Sequence, residues 1–504
     1  MGSLREVNPS LWVATTTDSP TLPAPGPERR FDVVVVGGGI AGLTTGRLLA
    51  AEGRAVAVVE AGPLAAGATG YTTAKITALQ ATAISEIASQ LGVERAAAYA
   101  AANAAAVEWV ADLVDRDEID CDFERAPACT YASRPPEVEA VEAEHAAASA
   151  AGLPTRLGLV TELPYEVAAA VWLDDQAQFH PRRYCLGLAA AAARDGASFF
   201  EHTRALDVAE RDGGCVVTTD RGELTADHVV VASHLPFLRV GAFFARAHPS
   251  RSYALAARVA GERVQGMYIS VGPPTRSVRS TADGWTILGG EGHKVGHDED
   301  TRRRYDALEE WARSTFSVEE IGYRWSAQDY ATVDGMPYVG QLSSRHHRVW
   351  VATGFRKWGM TNGTAAALIL ADRIAGRDNP WANAYDSTRV QPGASITNMV
   401  RANLDVGKRL IGDRLRTWHP RPTERLAAGE GSITQLDGDT VAAYRDDTGE
   451  LHAVAADCTH LGCRLTFNTT ERSWDCPCHG SRFDIDGQVI QGPAVTNLAD
   501  KTPR

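Results

Sequence analysis

Apolar and polar positions alternate along the chain with a period that changes from segment to segment. From Phe31 the chain shows a run of valines, a glycine turn, an apolar stretch with helical spacing, and a second apolar strand that ends at Glu60. A continuous apolar run is typical of a strand that is buried on both faces of a sheet. Two such strands joined by one helix predict a parallel βαβ unit at this position.

The pattern beyond this unit predicts a mixed fold. Residues 85–150 are rich in alanine with helical spacing, a second helix is predicted near Arg183–Arg194, and residues 206–236 form a meander that ends in the buried strand DHVVVAS. Residues 250–345 alternate in the manner of an antiparallel sheet. The segment VWVATGFRKWGMTNGTAAALILADRIAG then returns to a strand, a turn and a helix. We therefore expect an α/β Rossmann-type domain with an antiparallel-sheet substrate domain.

From about Pro392 the pattern changes again. SITNMVRANLDVGKRLIGDRLRTW has the spacing of one amphipathic helix, the prolines of HPRPTE indicate a linker, and short strands and turns follow. Domain boundaries fall in exposed linkers of this kind. The sequence therefore predicts an N-terminal arm at 1–30, a large domain at 31–391, a helix and linker at 392–420, and a small all-β domain at 421–504.

Composition and charge narrow the possible functions. The chain has 504 residues, of which 44% are hydrophobic and 22% charged, and its formal net charge is −13. A negative balance argues against nucleic acid as the partner. The sequence has no apolar run long enough to predict a membrane span, and its first residues lack a basic segment followed by an apolar one. We expect a cytoplasmic protein that acts on a small molecule.

The glycine turn after the first strand has the spacing of a dinucleotide-binding site. Gly37, Gly39 and Gly42 match G-x-G-x-x-G between a strand and a helix, and Glu60 ends the next strand. The first glycine allows a tight turn, the second lets the backbone approach a pyrophosphate, and the third lets helix and strand pack closely. Phosphate is favoured there by free N–H groups and the helix dipole. We expect the Glu60 carboxylate to accept hydrogen bonds from the ribose hydroxyls of an adenosine.

The residues after Glu60 distinguish FAD from NAD. GPLAAGATGYTTAKITALQ resembles the stretch that follows the ribose-binding acid in the D-amino acid oxidase-like flavoproteins, which include glycine oxidase and sarcosine oxidase. DGMPYVG and TGFRKWGMTNGTAAALILADRIAG are similar to that family's late glycine turn, whose backbone approaches the flavin. The resemblance implies FAD, and without a cysteine near the late turn we expect non-covalent binding. The resemblance also implies that FAD contacts five residues outside the first glycine turn, namely Thr72, Thr73, Gly359, Met360 and Thr361.

Two boxes near the C-terminus, CTHLGC and CPCHGSRF, hold four of the eight cysteines. They contain C-x-H and C-x-x-H, the ligand pattern of a Rieske [2Fe–2S] cluster. We expect Cys458 and Cys476 to hold one iron and His460 and His479 to hold the other. Neutral imidazoles leave the cluster less negative than four thiolates would, so it accepts an electron more readily. The alternative is structural zinc, whose common ribbon spacings differ from this one.

The two boxes resemble those of the cytochrome bc-type Rieske proteins. The resemblance implies a disulfide between Cys463 and Cys478 that pins the two loops together. It also implies that the Ser481 hydroxyl donates a hydrogen bond to a cluster sulfur. Phe483 stands where this family often has a tyrosine, a second donor, so we expect a cluster that is less oxidising than the respiratory ones.

A flavin domain of this type joined to a C-terminal Rieske domain resembles a group of bacterial FAD-dependent Rieske fusion proteins. The resemblance covers nearly the whole chain. It implies an enzyme that oxidises a small amine or amino acid and passes electrons singly to the cluster and an external acceptor. Three alternatives remain: an oxygen-using oxidase with a structural or regulatory cluster, a reductase fed by NAD(P)H, and a redox sensor without turnover. The lack of a second G-x-G-x-x-G after a strand argues against the reductase.

Three residues are candidates for catalysis. Lys357, in GFRKWG, matches the position of the carboxylate-binding arginine of glycine oxidase-like proteins, with a flavin-contacting or solvated lysine as the alternative. Lys75 is expected beside the flavin, where a cation would stabilise the anionic reduced ring. Tyr253 is either a wall of the substrate pocket or part of the aromatic core.

Two further features have structural alternatives that we prefer. Glu291, His293 and His297 are residue types found in metal sites, but a strand end followed by a polar turn explains them equally well. The basic residues of the predicted helix at 395–418 are a solvated face, or else a docking surface for an acidic electron partner.

Overall fold

The structure is a computed structural model, and it describes residues 8–16, 22, 30–295, 300–389 and 422–503. The helix predicted at 395–418, the linker after it and most of the predicted N-terminal arm lie outside the described residues, as does His297. Part of the arm does form a short helix. Its Trp12 is buried, and the indole N–H donates a hydrogen bond of 2.6 Å to the Thr72 carbonyl.

Helices and strands alternate along the large domain. In chain order they are α1 (Leu11–Ala14), β1 (Arg30–Val36), α2 (Ile40–Ala51), β2 (Val56–Val59), β3 (Lys75–Ile76), α3 (Ala83–Leu91), α4 (Val93–Arg116), β4 (Glu124–Ala132), α5 (Val138–Ala150), β5 (Arg156–Leu157), β6 (Ala169–Gln178), α6 (Pro181–Arg194), β7 (Ser198–Phe200), β8 (Ala205–Arg211), β9 (Gly214–Thr219), β10 (Gly222–Val231), α7 (Phe243–Arg246), β11 (Ala247–Val259), β12 (Met267–Ser270), β13 (Arg276–Ser280), β14 (Thr286–Lys294), α8 (Thr301–Thr315), β15 (Val318–Thr332), β16 (Tyr338–Gln341), β17 (Val349–Thr353), α9 (Gly359–Ile374) and α10 (Ala382–Tyr385). The small C-terminal domain adds β18 (Gly431–Leu436), β19 (Asp439–Arg445), β20 (Leu451–Ala455), β21 (Thr466–Asn468), β22 (Ser473–Asp475), β23 (Arg482–Phe483) and β24 (Val489–Gln491).

The first sheet has the order β16-β17-β10-β1-β2-β7, and β8 and β9 extend it beside β10. β1 pairs in parallel with both β10 and β2, as the two apolar runs predict. Val33, Val34 and Val35 are completely buried, because helices cover the sheet. The carboxyl ends of β1 and β2 lie side by side, which brings Gly37 close to Glu60 at one edge of the sheet.

The second sheet has the order β15-β11-β14-β13-β12-β4-β6-β3, with β5 beside β6. Neighbouring strands are antiparallel except for β12 and β4. β15 is therefore an edge strand of this sheet, paired with β11 from Ala247 opposite Thr332 to Val259 opposite Val318. Together the two sheets confirm the predicted Rossmann-type domain with its antiparallel substrate domain.

The sequence pattern missed two elements. The alanine-rich interval 85–150 contains the strand β4 as well as helices, and the interval 250–345 contains the helix α8. α8 is rich in arginine and glutamate, and it buries only one face, which includes Tyr305, Leu308 and Ala312. Such a narrow apolar stripe is hard to separate from strand alternation by period alone.

The C-terminal domain consists of two small antiparallel sheets, β18-β19-β20 and β21-β22-β23-β24. The first box precedes β21, and the second follows β22 and ends with β23. Trp474 and Phe483 are fully buried and pack around the boxes, so a hydrophobic core supports both loops. The all-β prediction for this domain is confirmed. In the part of the chain that the structure describes, no helix is long and apolar enough to cross a membrane.

Candidate active site and metal centre

The glycine turn at the end of β1 has the tight geometry that its spacing predicts. Gly37 has φ +118, a region that favours glycine, and a Cβ there would lie 2.5 Å from the Ala232 carbonyl oxygen. A Cβ on Gly42 would lie 1.9 Å from the Gly37 carbonyl oxygen, so only glycine lets α2 pack this close to the turn. Gly39 caps the N-terminus of α2 without a side-chain hydrogen bond. The turn therefore leaves backbone N–H groups for a ligand.

Glu60 lies at the end of β2 and is held by the backbone. Its Oε2 accepts a hydrogen bond of 2.8 Å from the Gly38 amide, and its Oε1 accepts one of 2.9 Å from the Gly62 amide. Each carboxylate oxygen can accept a further hydrogen bond. Glu60 also lines the main cavity, so these acceptor sites face a bound ligand, and their contact with ribose hydroxyls stays a prediction.

The main cavity runs between the two sheets and has a volume of about 970 Å³. It begins at the glycine turn and Glu60 and reaches the late turn at Gly359 and Met360. Thr72 and Thr73 also line it. Its volume is at the upper end for ligand pockets, which suits an extended dinucleotide with room for a substrate. The residues present therefore fit FAD.

Thr361 does not line this cavity, although it was predicted to contact FAD. It belongs to a buried polar network beneath the late turn, where Gln80 Nε2 donates to its hydroxyl at 2.7 Å and to Asn103 Oδ1 at 2.9 Å. The side-chain Nδ2 of Asn362 donates hydrogen bonds to the Tyr99 hydroxyl at 3.0 Å and to Gln80 Oε1 at 3.2 Å. The network fixes the start of α9, so Thr361 supports the flavin turn from below.

Lys75 lies on β3 in the cavity wall and is buried. Its Nζ donates a hydrogen bond of 2.7 Å to the Tyr268 carbonyl oxygen and another to the Ser277 hydroxyl. Burial, with the nearby Arg279 guanidinium, lowers the pKa of Lys75 to about 7. The side chain can therefore exchange a proton near neutral pH, in addition to the stabilising charge that the sequence predicts.

Lys357 lies in a strained part of the late turn. Arg356 and Lys357 have φ values of +54 and +70, in the left-handed region that non-glycine residues seldom adopt. The Lys357 amide donates a hydrogen bond to Asp329 Oδ2, which holds this conformation. Its Nζ lies close to Gly292, because a Cβ placed on that glycine would be only 2.9 Å from it. The residue is exposed and lines the cavity, and desolvation lowers its pKa.

Tyr253 lines the main cavity together with the other two candidates, and its ring also packs in the protein core. Its ring is buried and packs against Tyr305 at 4.7 Å and against the His293 ring at 5.7 Å between centroids. Tyr305 belongs to α8, so this ring lies in the hydrophobic cluster between the second sheet and that helix. The ring therefore belongs both to the cavity wall and to the aromatic core, and a catalytic role for Tyr253 stays a prediction.

Glu291 has ion-pair partners of its own. Its Oε1 lies 2.7 Å from Arg276 Nη1, and its Oε2 lies 3.4 Å from Arg304 Nη1. Two guanidinium groups neutralise the carboxylate at the end of β14, which agrees with the strand-end interpretation of this motif.

The four predicted metal ligands lie together on the two box loops. Cys458 and Cys476 are buried thiols outside the disulfide, and the His460 and His479 rings are 5.1 Å apart between centroids at an interplanar angle of 89°. Burial lowers the pKa of His460 to about 4 and that of His479 to about 3, so both imidazoles are neutral. Among the described residues, neither buried Nδ1 atom has a hydrogen-bond partner. Two thiols and two neutral imidazoles are the donor set of a Rieske cluster.

One prediction about the residues around these ligands is confirmed. A disulfide joins Cys463 to Cys478 and connects the two loops. The Ser481 hydroxyl accepts a hydrogen bond of 3.0 Å from the Ala494 amide, and its donation to a cluster sulfur stays a prediction. Phe483 is fully buried in the domain core and has no hydroxyl to offer as a second donor.

A docking junction, which sequence reasoning missed, joins the small domain to the edge strand β15. The Tyr330 hydroxyl donates a hydrogen bond of 2.9 Å to the His479 carbonyl oxygen, and Gln328 Nε2 donates one of 2.8 Å to the Gly480 carbonyl oxygen. Both contacts are buried. Because Gln328 and Tyr330 also line the main cavity, the same strand touches the cavity and the loop of the second box.

Ion pairs reinforce this junction. Arg251 on β11 is almost completely buried, and its Nη1 lies 2.9 Å from Asp475 Oδ2 on β22. Arg482 also pairs with Asp475, at 3.0 Å, and both arginines are near Glu471. Burial alone would raise the pKa of Asp475, but the two guanidinium groups outweigh it and lower the pKa to about 2. The carboxylate therefore stays ionised and the pair stays intact.

The large domain also covers the edge of the cluster site. The Phe244 ring, on α7, contacts the His460 ring at 5.8 Å and the His479 ring at 5.4 Å, in both cases edge to face. His460 and His479 are accordingly only 9% and 3% exposed.

Comparison with known proteins identifies two families along the chain. A model described as FAD dependent oxidoreductase matches residues 32–373, and one described as Rieske [2Fe-2S] domain matches residues 420–501. A relative named as a Rieske 2Fe-2S iron–sulfur protein, YhfW of Bacillus subtilis (strain 168), is 35% identical over 496 residues and covers 97% of each chain. The cytochrome b6-f complex iron–sulfur subunit 2 of Synechocystis sp. is 42% identical over 83 residues, which is 15% of this chain and 46% of that protein.

Solved structures resemble the large domain. Glycine oxidase from Geobacillus kaustophilus matches with a TM-score of 0.63 and 22% identity, over 72% of this chain and 100% of that one. L-proline dehydrogenase from P. horikoshii matches with a TM-score of 0.58 and 20% identity, over 72% and 98%. At these identities the likeness establishes the fold of the large domain and nothing about its substrate.

Proposed function

Because the chain belongs to the FAD dependent oxidoreductase family and carries a Rieske [2Fe-2S] domain, we propose that it oxidises a small amine or amino acid at its C–N bond and delivers the electrons through the cluster to an external acceptor. When bound, FAD supplies a two-electron acceptor and the cluster supplies a one-electron acceptor. The oxidoreductase class and both cofactors follow from the family, whereas the substrate class and the acceptor are proposed.

The observation that carries the proposal is the contact of β15 with both sites. Gln328 and Tyr330 line the cavity that fits FAD, and both donate hydrogen bonds to the loop that bears His479. A junction of buried hydrogen bonds holds the two redox sites at a fixed separation. A fixed separation favours electron transfer within one chain, whereas a hinge between the domains would let the separation vary.

Lys357 and Lys75 support the choice of an amine or amino acid. Lys357 Nζ lies near Ser252 and Gly292 in the cavity, where an ammonium would bind a substrate carboxylate. Lys75 contributes a second basic group to the same cavity. A substrate nitrogen must be neutral to release electrons, and nearby cations together with desolvation disfavour its protonated form. The two lysines would therefore hold the substrate and keep its amine reactive.

An anaerobic substrate panel tests the proposal. The oxidised holoenzyme is mixed with amines and amino acids, and flavin absorbance is followed together with the low-temperature EPR signal of the reduced cluster. The proposal predicts a substrate that bleaches the flavin and makes the cluster signal appear. Bleaching with an oxidised cluster would favour an oxygen-using oxidase, which peroxide formation in air would identify. Bleaching by NADH and by no amine would overturn the substrate class.

A pair of cysteine variants separates the two electron-transfer steps. Cys458→Ala removes a predicted cluster ligand, whereas Cys215→Ala changes another buried cysteine, in the core of the large domain. We expect Cys458→Ala to retain flavin bleaching and to lose both the EPR signal and reduction of an added one-electron acceptor. Cys215→Ala should retain all three. If the Cys458 variant reduces the acceptor at the wild-type rate, the electrons do not pass through the cluster.

A further inference from the structure

The nucleotide end of the main cavity is the end marked by Gly37, Gly38 and Glu60, which the nucleotide half of FAD would occupy. The iron–sulfur domain forms part of the wall at this end. Ile490 and Gln491, from the C-terminal domain, belong to the cavity wall. Neither residue is a predicted cluster ligand.

One contact fixes β24 beside Glu60. The backbone amide of Thr203 donates a hydrogen bond of 2.8 Å to the Glu60 carbonyl oxygen. The next residue, Arg204, therefore lies close to Glu60. Arg204 Nη2 then donates a hydrogen bond of 2.9 Å to the Val489 carbonyl oxygen at the start of β24. The first residue of this strand is therefore held by Arg204, which lines the cavity beside Glu60.

A second contact fixes the other end of β24 beside the glycine turn. Ala232 abuts Gly37, and His234 follows two residues later with φ +72. Gln491 Nε2 and His234 Nδ1 are 2.9 Å apart, and His234 Nε2 lies 3.0 Å from Asp329 Oδ1. With the Gln491 amide as donor to Nδ1, the imidazole donates its own proton to Asp329. His234 thus connects β24 to both the glycine turn and β15.

We propose that the iron–sulfur domain is a cover for the flavin site, and that FAD enters and leaves only when β24 separates from Arg204 and His234. The two contacts lie at the two ends of a three-residue strand, on opposite sides of the nucleotide end. The rest of the domain stays attached at Tyr330 and Arg251, so separation at β24 needs no complete undocking. The proposal concerns cofactor exchange and does not depend on which substrate the enzyme oxidises.

Exchange kinetics distinguish a cover from an ordinary ligand contact. A residue that only contacts FAD slows dissociation and leaves association unchanged, whereas a cover slows both. We expect the double variant Arg204→Ala/Gln491→Ala to raise both the dissociation and the association rate constants of FAD by about tenfold, with a smaller change in Kd. Matched controls are Arg211→Ala and Gln435→Ala, two exposed residues of the same types on β8 and β18.

The experiment needs no substrate. Dissociation is followed by the rise in FAD fluorescence when holoenzyme is diluted into a flavin trap, and association by tryptophan quenching when FAD is added to flavin-free protein that retains its cluster. Visible circular dichroism of the cluster verifies that the domain is folded. Unchanged rate constants in the double variant overturn the proposal, and so does faster dissociation with unchanged association. Equal acceleration in the control variants, or altered cluster bands, also overturns it, because the effect would then not arise at β24.

Discussion

The Tyr330 hydroxyl donates a hydrogen bond of 2.9 Å to the backbone carbonyl oxygen of His479, and this one contact joins the wall of the flavin cavity to a predicted ligand of the cluster. The bond is buried, and the Tyr330 ring also packs edge to face on His234 at 4.7 Å. Burial raises the pKa of the Tyr330 hydroxyl far above its ordinary value. The group therefore stays a donor at any pH at which the protein is folded.

Replacing Tyr330 with phenylalanine should weaken the junction. The His479 carbonyl would be left buried without its donor, which costs about 1–3 kcal/mol. If this cost falls on the docked arrangement, we expect electrons to reach the cluster more slowly by up to about 100-fold, since each 1.4 kcal/mol corresponds to a factor of ten. Photoreduction of the flavin by a light flash, followed by cluster absorbance, measures this rate without a substrate.

Tyr444→Phe is the matched control for that experiment. The Tyr444 hydroxyl is buried in the same small domain, and it has no hydrogen-bond partner within the described ranges. Its removal should leave the transfer rate unchanged. A wild-type rate in Tyr330→Phe would mean that the electron does not depend on this junction.

Ser481→Ala should lower the reduction potential of the cluster. If the Ser481 hydroxyl donates to a cluster sulfur, as the resemblance implies, losing this donor disfavours the more negative, reduced cluster. A hydrogen bond to a charged group contributes about 1.5–3 kcal/mol, which sets an upper limit of about 130 mV for a one-electron couple. An EPR-monitored redox titration measures the shift. Ser432→Ala, on the first small sheet, should leave the potential unchanged, and equal potentials in wild type and Ser481→Ala would refute the donor role.

Lys75 should make the free energy of unfolding depend on pH. Its pKa is about 7 in the folded protein and 10.5 ordinarily, so between these values the unfolded chain binds more protons. Stability therefore rises with pH across this window, by at most about 1.4 kcal/mol per pH unit from this group. Lys75→Met should remove that part of the slope. Thermal unfolding at pH 7.5 and pH 9 measures it, with Lys501→Met, an exposed lysine paired with Asp439, as control. An unchanged slope in Lys75→Met would mean that the lysine keeps its ordinary pKa.

Lys357→Met should distinguish amino acids from simple amines. If the ammonium binds a substrate carboxylate, its removal costs about 1.5–3 kcal/mol and raises KM for amino acids by about 10-fold to 100-fold. KM for an amine without a carboxylate should change little, which makes that amine the internal control. Desolvation lowers the pKa of Lys357, so carboxylate binding by the wild type should also weaken with rising pH earlier than for an ordinary lysine. Equal changes for both substrate types would assign Lys357 to the flavin instead.

The local patterns of the sequence predicted those parts of the site that depend on residues close in the chain. Gly37 and Gly42 belong to one turn, and each box supplies one cysteine and one histidine at fixed spacing, so covalent geometry alone brings these groups near each other. α8 was missed because its narrow apolar stripe mimics strand alternation.

The junction between the domains could not be predicted in this way. Tyr330 and His479 are 149 residues apart, and Arg204 and Val489 are 285 apart. No spacing rule connects them, because their contact depends on which faces of two folded domains meet. Thr361 shows the same limit within the large domain, since its place beneath the cavity wall is set by Gln80, 281 residues away.

The polar network beneath the late turn contains no formal charge. Gln80, Asn103, Thr361 and Asn362 are neutral, and burial raises the pKa of Tyr99 to about 12, so this phenol also stays uncharged. Dissolved ions screen charges and hardly affect bonds between buried neutral groups. The start of α9, which this network fixes, should therefore keep its position as ionic strength and acidity vary in the cell. Osmotic or acid stress would then affect the exposed ion pairs of the protein before it moves the start of α9.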